Sequence, residues 1–246
     1  MTIGPLISRP EAVADELETD PVGFAAHADE VLEGADPLTI LGWAGRAFGT
    51  SLAVTAAMGD TVLAHLASRA VPGAHVLFVD TGYHFAETIG TVDAVRATYP
   101  VRMLAIRPKQ DLAEHEAEHG PMYRTDPDRC CALRKVGPLE EALRGYRAWA
   151  TGLRRDDSPE RAGTRTVSWD ERRGLLKVAP IAGWTDDDVE DYAALHPEMV
   201  VNPLLQLGYR SIGCAPCTRA IAPGEDRRAG RWSGLAKVEC GIHYQI

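Results

Sequence analysis

The stretch that most restricts how this 246-residue chain can fold is His75-Val-Leu-Phe-Val79. It is opened by the turn residues Val71-Pro-Gly73 and closed by the polar Asp80-Thr-Gly82. An apolar, largely β-branched or aromatic run between turn signals specifies a buried strand. A helical pattern follows from about Glu87 to Thr98, and then another strand, Val101 to Ile106. A strand, a crossover helix and a second strand pair in parallel. The alternation recurs. Leu52 to Ala56 is a strand, followed by a helix from Thr61 to Arg69 with Asp60 or Thr61 as its cap. Leu139 to Leu143 is helical, Ala148 to Thr151 and Leu175 to Val178 are strands, and Thr185-Asp-Asp-Asp-Val189 opens a helix running to about Leu195. Residues 1–35 form one or two acidic amphipathic helices (Glu11 to Leu17, Phe24 to Leu32), an N-terminal extension. The expected fold is α/β, a mainly parallel doubly wound sheet in one domain spanning 1–246. Ligands of such sheets sit at the carboxyl ends of the strands, which directs attention to the loops after Ala56, Val79 and Thr151.

Charge divides the chain. Residues 1–123 carry 7 Lys and Arg against 17 Asp and Glu, and residues 124–246 carry 19 against 18. The overall charge of −9 argues against nucleic acid as a partner. The second half gathers Arg134-Lys135, Arg154-Arg155, Arg172-Arg173 and Arg227-Arg228 with Arg231. Such groups suit a small, multiply charged anion; solvated surface pairs are the alternative. No apolar run is long enough to span a membrane. The acidic N-terminus lacks the pattern of a secretory leader, so a cytoplasmic location is expected.

The same half holds all five cysteines: Cys130, Cys131, Cys214, Cys217 and Cys240. An odd number excludes complete pairing within the chain, and a chain of this length needs no disulfide staples. Cys130-Cys131 with Cys214-Ala-Pro-Cys217 offers four thiolates for an iron–sulfur cluster or a zinc ion. Adjacent cysteines diverge on an extended chain, which suits a cluster better than a single ion. A redox dithiol at Cys214 and Cys217, or buried core cysteines, remain open. Cys240 is left over near the end, where chain termini are usually mobile. A thiol there can enter a site, react and leave, given nearby positive charge from His243 or the arginines; a tail cysteine without a role is the plain alternative.

Other strings are weaker. Thr55 to Leu63 could present backbone N–H groups to a phosphate, but it is not a Walker loop, and Gly42, Gly45 and Gly49 miss the dinucleotide spacing. Asp80-Thr-Gly82-Tyr-His84 at a strand end is either functional or a helix-capping turn. His115-Glu-Ala-Glu-His119 matches a zinc-protease string. The surrounding segment has no apolar face to bury a metal, and Gly120-Pro121 ends the helix at once, so a solvated acidic helix is expected.

Together the strings resemble the assimilatory adenylyl-sulfate reductases, a family that reduces adenosine 5′-phosphosulfate with thioredoxin. The matching pieces are Leu77-Phe-Val-Asp-Thr-Gly-Tyr-His-Phe-Ala-Glu-Thr88, Cys130-Cys-Ala-Leu-Arg-Lys-Val136, Thr151-Gly-Leu-Arg-Arg155 with Ser158-Pro159, and Pro180-Ile-Ala-Gly-Trp-Thr185. Asn202-Pro-Leu204, Gly213-Cys-Ala-Pro-Cys217, Arg228-Ala-Gly-Arg-Trp232 and Glu239-Cys-Gly-Ile-His243 complete them, in family order from about residue 50 to the end. The resemblance implies an adenine-nucleotide α-hydrolase-like fold with a modified PP-loop and a cysteine-rich C-terminal segment, 208–246, ending in a mobile catalytic tail. It implies one 4Fe-4S cluster per chain, held by Cys130, Cys131, Cys214 and Cys217, and a nucleophile at Cys240. Lys135, Arg161, Arg228, Arg231 and His243 are the implied substrate-binding residues, with Asp60 and Gly152 beside them. Lys135 lies four residues after Cys131 and can face cluster and substrate together. Cys240 would attack the sulfur of the phosphosulfate, expel AMP and become an S-sulfonate, from which thioredoxin releases sulfite.

Two positions depart from the family's nucleotide loop: Ala57 stands where Ser is usual and Gly59 where an acidic residue is usual. A lost hydroxyl weakens substrate binding by about 1 kcal/mol. The chain stops three residues after His243, so the reductant is expected on another protein. A reductase for the 3′-phosphorylated substrate and a zinc-stabilised nucleotide-binding protein are the competing readings. Homo-oligomerisation stays open.

Overall fold

The computed structural model describes residues 10–243. The first nine residues of the expected N-terminal extension and the last three of the tail lie outside the described residues.

Three helices come first: α1 (Pro10–Thr19), α2 (Pro21–Leu32) and α3 (Pro37–Phe48). Asp20 and Asp36 cap α2 and α3 by accepting from Gly23 N and Thr39 N, each followed by Pro at the first helical position. The alternating part then runs β1 (Leu52–Thr55), α4 (Val62–Ala70), β2 (His75–Val79), α5 (Ala86–Thr98) and β3 (Arg102–Ile106). Next come α6 (Leu112–His119), two short helices α7 (Met122–Thr125) and α8 (Pro127–Cys131), a π-helical turn over Ala132–Val136, and α9 (Gly137–Leu143). The remaining elements are β4 (Ala148–Thr151), β5 (Val167–Asp170), β6 (Leu175–Val178) and α10 (Asp186–Leu195).

The sheet order is β3-β2-β1-β4-β6-β5. All neighbours pair in parallel except β5 with β6, which are antiparallel. From β1 the chain winds outward to β2 and β3, then returns to β1's other side with β4, so the order reverses between β1 and β4. Alternation along each strand splits the core. Leu52, Val54, Val76, Phe78, Ala148, Ala150, Leu176 and Val178 pack with α2, α3 and α4 on one face. Ala53, Leu77, Val79, Trp149 and Leu175 pack with Val136, Leu139, Leu143 and the tail residue Ile242 on the other.

The helix starting after Thr185 carries a full capping box with Asp188, as its sequence implies. The N-terminal amphipathic helices bury their apolar faces in the main core: Leu17, Phe24 and Leu32 are buried in it, and Asp29 accepts the Val167 N–H at 2.9 Å. Two expectations are corrected. Cys130 and Cys131 lie on a helix, α8, rather than on an extended chain. The helix α6 is not wholly solvated, because His115 is buried.

Candidate active site

At the reversal between β1 and β4 the strand ends open into a cavity of about 220 Å³. Its floor includes Thr55, Ala56, Thr151 and Gly152, and its sides include Gly59, Asp60 and Ile212. The loop after β1 is shaped by Met58, which is fully buried with φ of +57° and whose carbonyl accepts from Asn202 Nδ2 at 2.8 Å. A left-handed, non-glycine residue held by a buried side chain marks an imposed loop conformation. Asp60 Oδ1 accepts the Val62 N–H at 3.2 Å, while Thr61 makes no cap bond through its side chain and donates to Val200 O.

Every substrate-binding residue expected from the sequence lines this cavity: Asp60, Lys135, Gly152, Arg161, Arg228, Arg231 and His243. Arg154 and Arg227 join them, whereas Arg155 turns away to a bidentate pair with Glu33 at 2.8 and 2.9 Å. Arg154 Nη1, Arg231 Nε and His243 Nδ1 are buried with no hydrogen-bond partner among the described residues. Orphaned guanidinium donors in a cationic cavity are the complement of an anionic ligand. Gly213 gives Arg231 room, since a Cβ there would stand 2.3 Å from Arg231 Nη2.

The cysteines adjoin this cavity. Cys130, Cys131, Cys214, Cys217 and Cys240 line one small void with Thr81, Tyr83 and Lys135, and Lys135 and Cys240 line the larger cavity as well. Two long-range ties assemble the group. Cys214 bridges to His84, Ala215 N donates to Tyr83 O at 2.7 Å, and Cys214 Sγ lies 3.2 Å from Thr81 Oγ1. On the other side Trp232 N donates to Cys217 O at 3.0 Å. The turn after β2 is thereby tied to the cysteines, and Arg134, itself buried, holds it by donating from Nε to Thr81 O at 2.7 Å. Thr81 is a site residue that sequence reasoning did not single out, although it lies inside the strand-end string.

Electrostatics separate Cys240 from Cys130, Cys131 and Cys217. Burial, with Cys131, Cys214 and Cys217 nearby, pushes Cys130 up to about 12. Burial pushes Cys131 up to about 11 against the pull of Lys135 and Lys237, and burial with Cys214 raises Cys217. Cys240 goes the other way. Burial opposes its ionisation, but Lys135, the Ile242 N–H and Arg231 together outweigh burial and bring the thiol below its ordinary range. His243 supplies none of this charge. Burial, then Lys177, Arg161 and Arg173, hold its pKa well below the usual value, so the ring is neutral.

The tail is docked. Ile242 is buried on the second face of the sheet, Arg173 Nη2 donates to Ile242 O at 2.9 Å, and His243 stacks on Trp149 at 5.5 Å between ring centres. Elsewhere, His65, His196 and Glu198 are the one set of three side chains among the described residues with all ligand atoms within 4.8 Å. Arg69 already serves as the cation there, donating from Nη1 to His196 Nε2 at 2.8 Å.

Residues 50–220 match the phosphoadenosine phosphosulfate reductase domain family. The chain belongs to that family. The adenosine 5′-phosphosulfate reductase of Streptomyces coelicolor is 56% identical over 94% of this chain and 99% of its own length. That of Mycobacterium tuberculosis is 46% identical over 89% and 93%. Among solved structures, the phosphoadenylyl-sulfate reductase of Candida auris, a phosphate complex, superposes with a TM-score of 0.71 at 28% identity, covering 80% of this chain and 97% of that one. An FMN adenylyltransferase of Candida glabrata with ATP, at 10% identity and a TM-score of 0.54 over 94% of this chain and 82% of its own, shares the fold alone. The fold thus brings the cavity and the cysteines together near the carboxyl ends of the strands. No helix among the described residues is long and apolar enough to cross a membrane.

Proposed function

We propose that this chain reduces adenosine 5′-phosphosulfate to sulfite and AMP, with Cys240 as nucleophile and a thioredoxin-type dithiol protein as reductant. The observation that carries the reading is Cys240 itself. Its thiol is lowered toward thiolate where those of Cys130, Cys131 and Cys217 are raised, and it stands beside Lys135 where the cation-lined cavity meets the other four cysteines. The names of the closely similar relatives support the substrate.

In the proposed sequence, Arg161, Arg228, Arg231 and Lys135 hold the phosphosulfate, and Asp60 and Gly152 border its nucleotide end. Neutral His243 offers Nδ1 as a hydrogen-bonding partner. The Cys240 thiolate attacks the sulfonyl sulfur, an S–S bond forms, and the bond from sulfur to the bridging phosphate oxygen breaks. The electron pair leaves with AMP, whose developing charge the arginines stabilise, so no general acid is required. A thiolate of the dithiol partner then attacks Cys240 Sγ and expels sulfite. Its second thiol resolves the mixed disulfide and restores Cys240, and these two thiols supply both electrons.

Cys130, Cys131, Cys214 and Cys217 fit a 4Fe-4S cluster. Four zinc-bound sulfurs would sit about 3.8 Å apart, whereas no three of these sulfurs fall within 4.8 Å of one another. Ionising thiols raised to about 11 and 12 also calls for a metal charge among them. When bound, the cluster would supply fixed charge beside the anion site and tie α8 to the Cys214–Cys217 loop. Lys135, which faces both sites, couples them. The testing experiment is side-by-side turnover of the adenosine and 3′-phosphoadenosine phosphosulfates by anaerobically purified protein with a dithiol protein. Sulfite from the first and little from the second is expected; preference for the 3′-phosphorylated nucleotide contradicts the substrate assignment, and no sulfite from either contradicts the activity.

A further inference from the structure

Seven cationic side chains and three carboxylates line the main cavity. Two of the carboxylates, Asp60 and Asp157, belong to the body of the fold. The third, Glu239, rides on the tail, one residue before Cys240. Its carboxylate accepts from Arg161 Nε at 2.9 Å and Arg161 Nη2 at 3.0 Å, a fork-to-fork pair, and lies 3.2 Å from Arg228 Nη2. Arg228 Nη2 also donates to the tail carbonyl of Val238 at 2.7 Å. Asp157 braces Arg161 from the other side at 2.7 Å. The side chains of Arg161, Arg228 and Glu239 are 11, 14 and 21% exposed, so this is an enclosed ion pair rather than a surface one. The two-pronged geometry that Arg161 gives Glu239 is the one a guanidinium gives a phosphate or sulfate.

We propose that Glu239 is a built-in stand-in for the substrate anion, filling the Arg161–Arg228 cradle in the ligand-free protein until the phosphosulfate displaces it. The inference rests on the assignment of these two arginines to the substrate. Two guanidiniums cannot present the same N–H groups to the tail carboxylate and to the ligand at once. Docking of Glu239 and binding of the anion therefore oppose each other, and reciprocally. The apparent affinity for any anion is reduced by the fraction of molecules whose cradle Glu239 occupies. The rest of the tail keeps its hold through Ile242, Arg173 and the His243–Trp149 stack. Displacement thus frees the segment at Glu239 to re-seat Cys240 against the bound sulfur without losing the tail. Departure of AMP returns Glu239 to the cradle.

The test is Glu239→Gln, which keeps the shape and removes the charge. In a Cys240→Ser background, which cannot turn over, cluster-loaded protein is titrated calorimetrically with adenosine 5′-phosphosulfate. The Gln variant binds on the order of fivefold more tightly. Separately, hydrogen exchange is followed in the peptide covering residues 233–243 without nucleotide. It quickens in Glu239→Gln while the sheet peptides stay unchanged, and inorganic sulfate quickens it in the parent but not further in the variant. Unchanged or weaker nucleotide binding, unchanged tail exchange in the variant, or a parent tail indifferent to sulfate each overturns the inference. A Cys240→Ser protein that binds no nucleotide defeats the functional assignment, and the sulfate exchange experiment still decides the stand-in. Normal binding and turnover with both readouts unmoved by Glu239→Gln defeats the stand-in alone.

Discussion

Lys135→Gln probes the charge that makes Cys240 a nucleophile. Lys135 is the strongest favourable influence on the Cys240 thiol, ahead of the Ile242 N–H and Arg231, and it works against burial. A contacting cation typically lowers an acid by about 1–3 pKa units. Below the variant's higher thiol pKa a smaller fraction is thiolate, and the higher basicity of the remaining thiolate offsets part of that loss. Loss of one charge-assisted contact to the phosphosulfate costs about 1.5 kcal/mol, so kcat/KM falls at least about tenfold. The direct assay is iodoacetamide modification of Cys240, followed by mass spectrometry across pH, with cluster content matched between proteins. Thiols alkylate as thiolates, so the rate rises with pH through the thiol pKa, and the variant's curve is displaced to higher pH. Superimposable curves, or undiminished turnover at full cluster occupancy, would refute the reasoning.

Gly213→Ala places a Cβ 2.3 Å from the end of the Arg231 side chain, which can swing away; KM rises about tenfold while the melting temperature moves by no more than about 2 °C. Ala57→Ser restores a hydroxyl to the nucleotide loop at the cavity wall, and the substrate dissociation constant falls about fivefold, as one hydrogen bond is worth about 1 kcal/mol; no tightening counts against the loop's contact with phosphate. Glu33, lowered chiefly by its hydrogen bond to Arg155, contributes stability above its unfolded pKa that is lost as pH falls through the lower folded value. Urea titrations of Glu33→Gln therefore show a loss of about 0.5–1 kcal/mol at pH 7 that vanishes in acid.

The features apparent in the sequence are those encoded locally. His75 to Val79 announces a strand by residue type, Thr185 and Asp188 announce a helix start by capping, and the positions carried over from the family resemblance meet at one cavity and the small void beside it. The helix Pro37–Phe48, outside the expected elements, carries the same kind of signal in Asp36-Pro37. The edge strand Val167–Asp170 was missed for a different reason: four residues paired antiparallel to β6 have no crossover pattern to reveal them. What could not be inferred depends on distant contacts. Burial makes His243 neutral, where its type alone suggests a charge for the thiolate. The helix that carries Cys130 and Cys131 is, by contrast, encoded locally, since Asp126 caps it and Pro127 starts it as Asp36 and Pro37 do for α3. The tail docks through Ile242 on Arg173 and His243 on Trp149, partners from two separate parts of the chain.

One measurement bears most directly on the chemistry proposed for Cys240. Anaerobically purified, cluster-loaded protein is incubated with adenosine 5′-phosphosulfate labelled at the sulfate sulfur, without reductant, then digested and mapped. The expected result is one label per active chain on Cys240, AMP released in equal amount, and loss of the label as sulfite when a dithiol protein is added. Absence of label with the cluster intact, or label on any of Cys130, Cys131, Cys214 and Cys217, would contradict it.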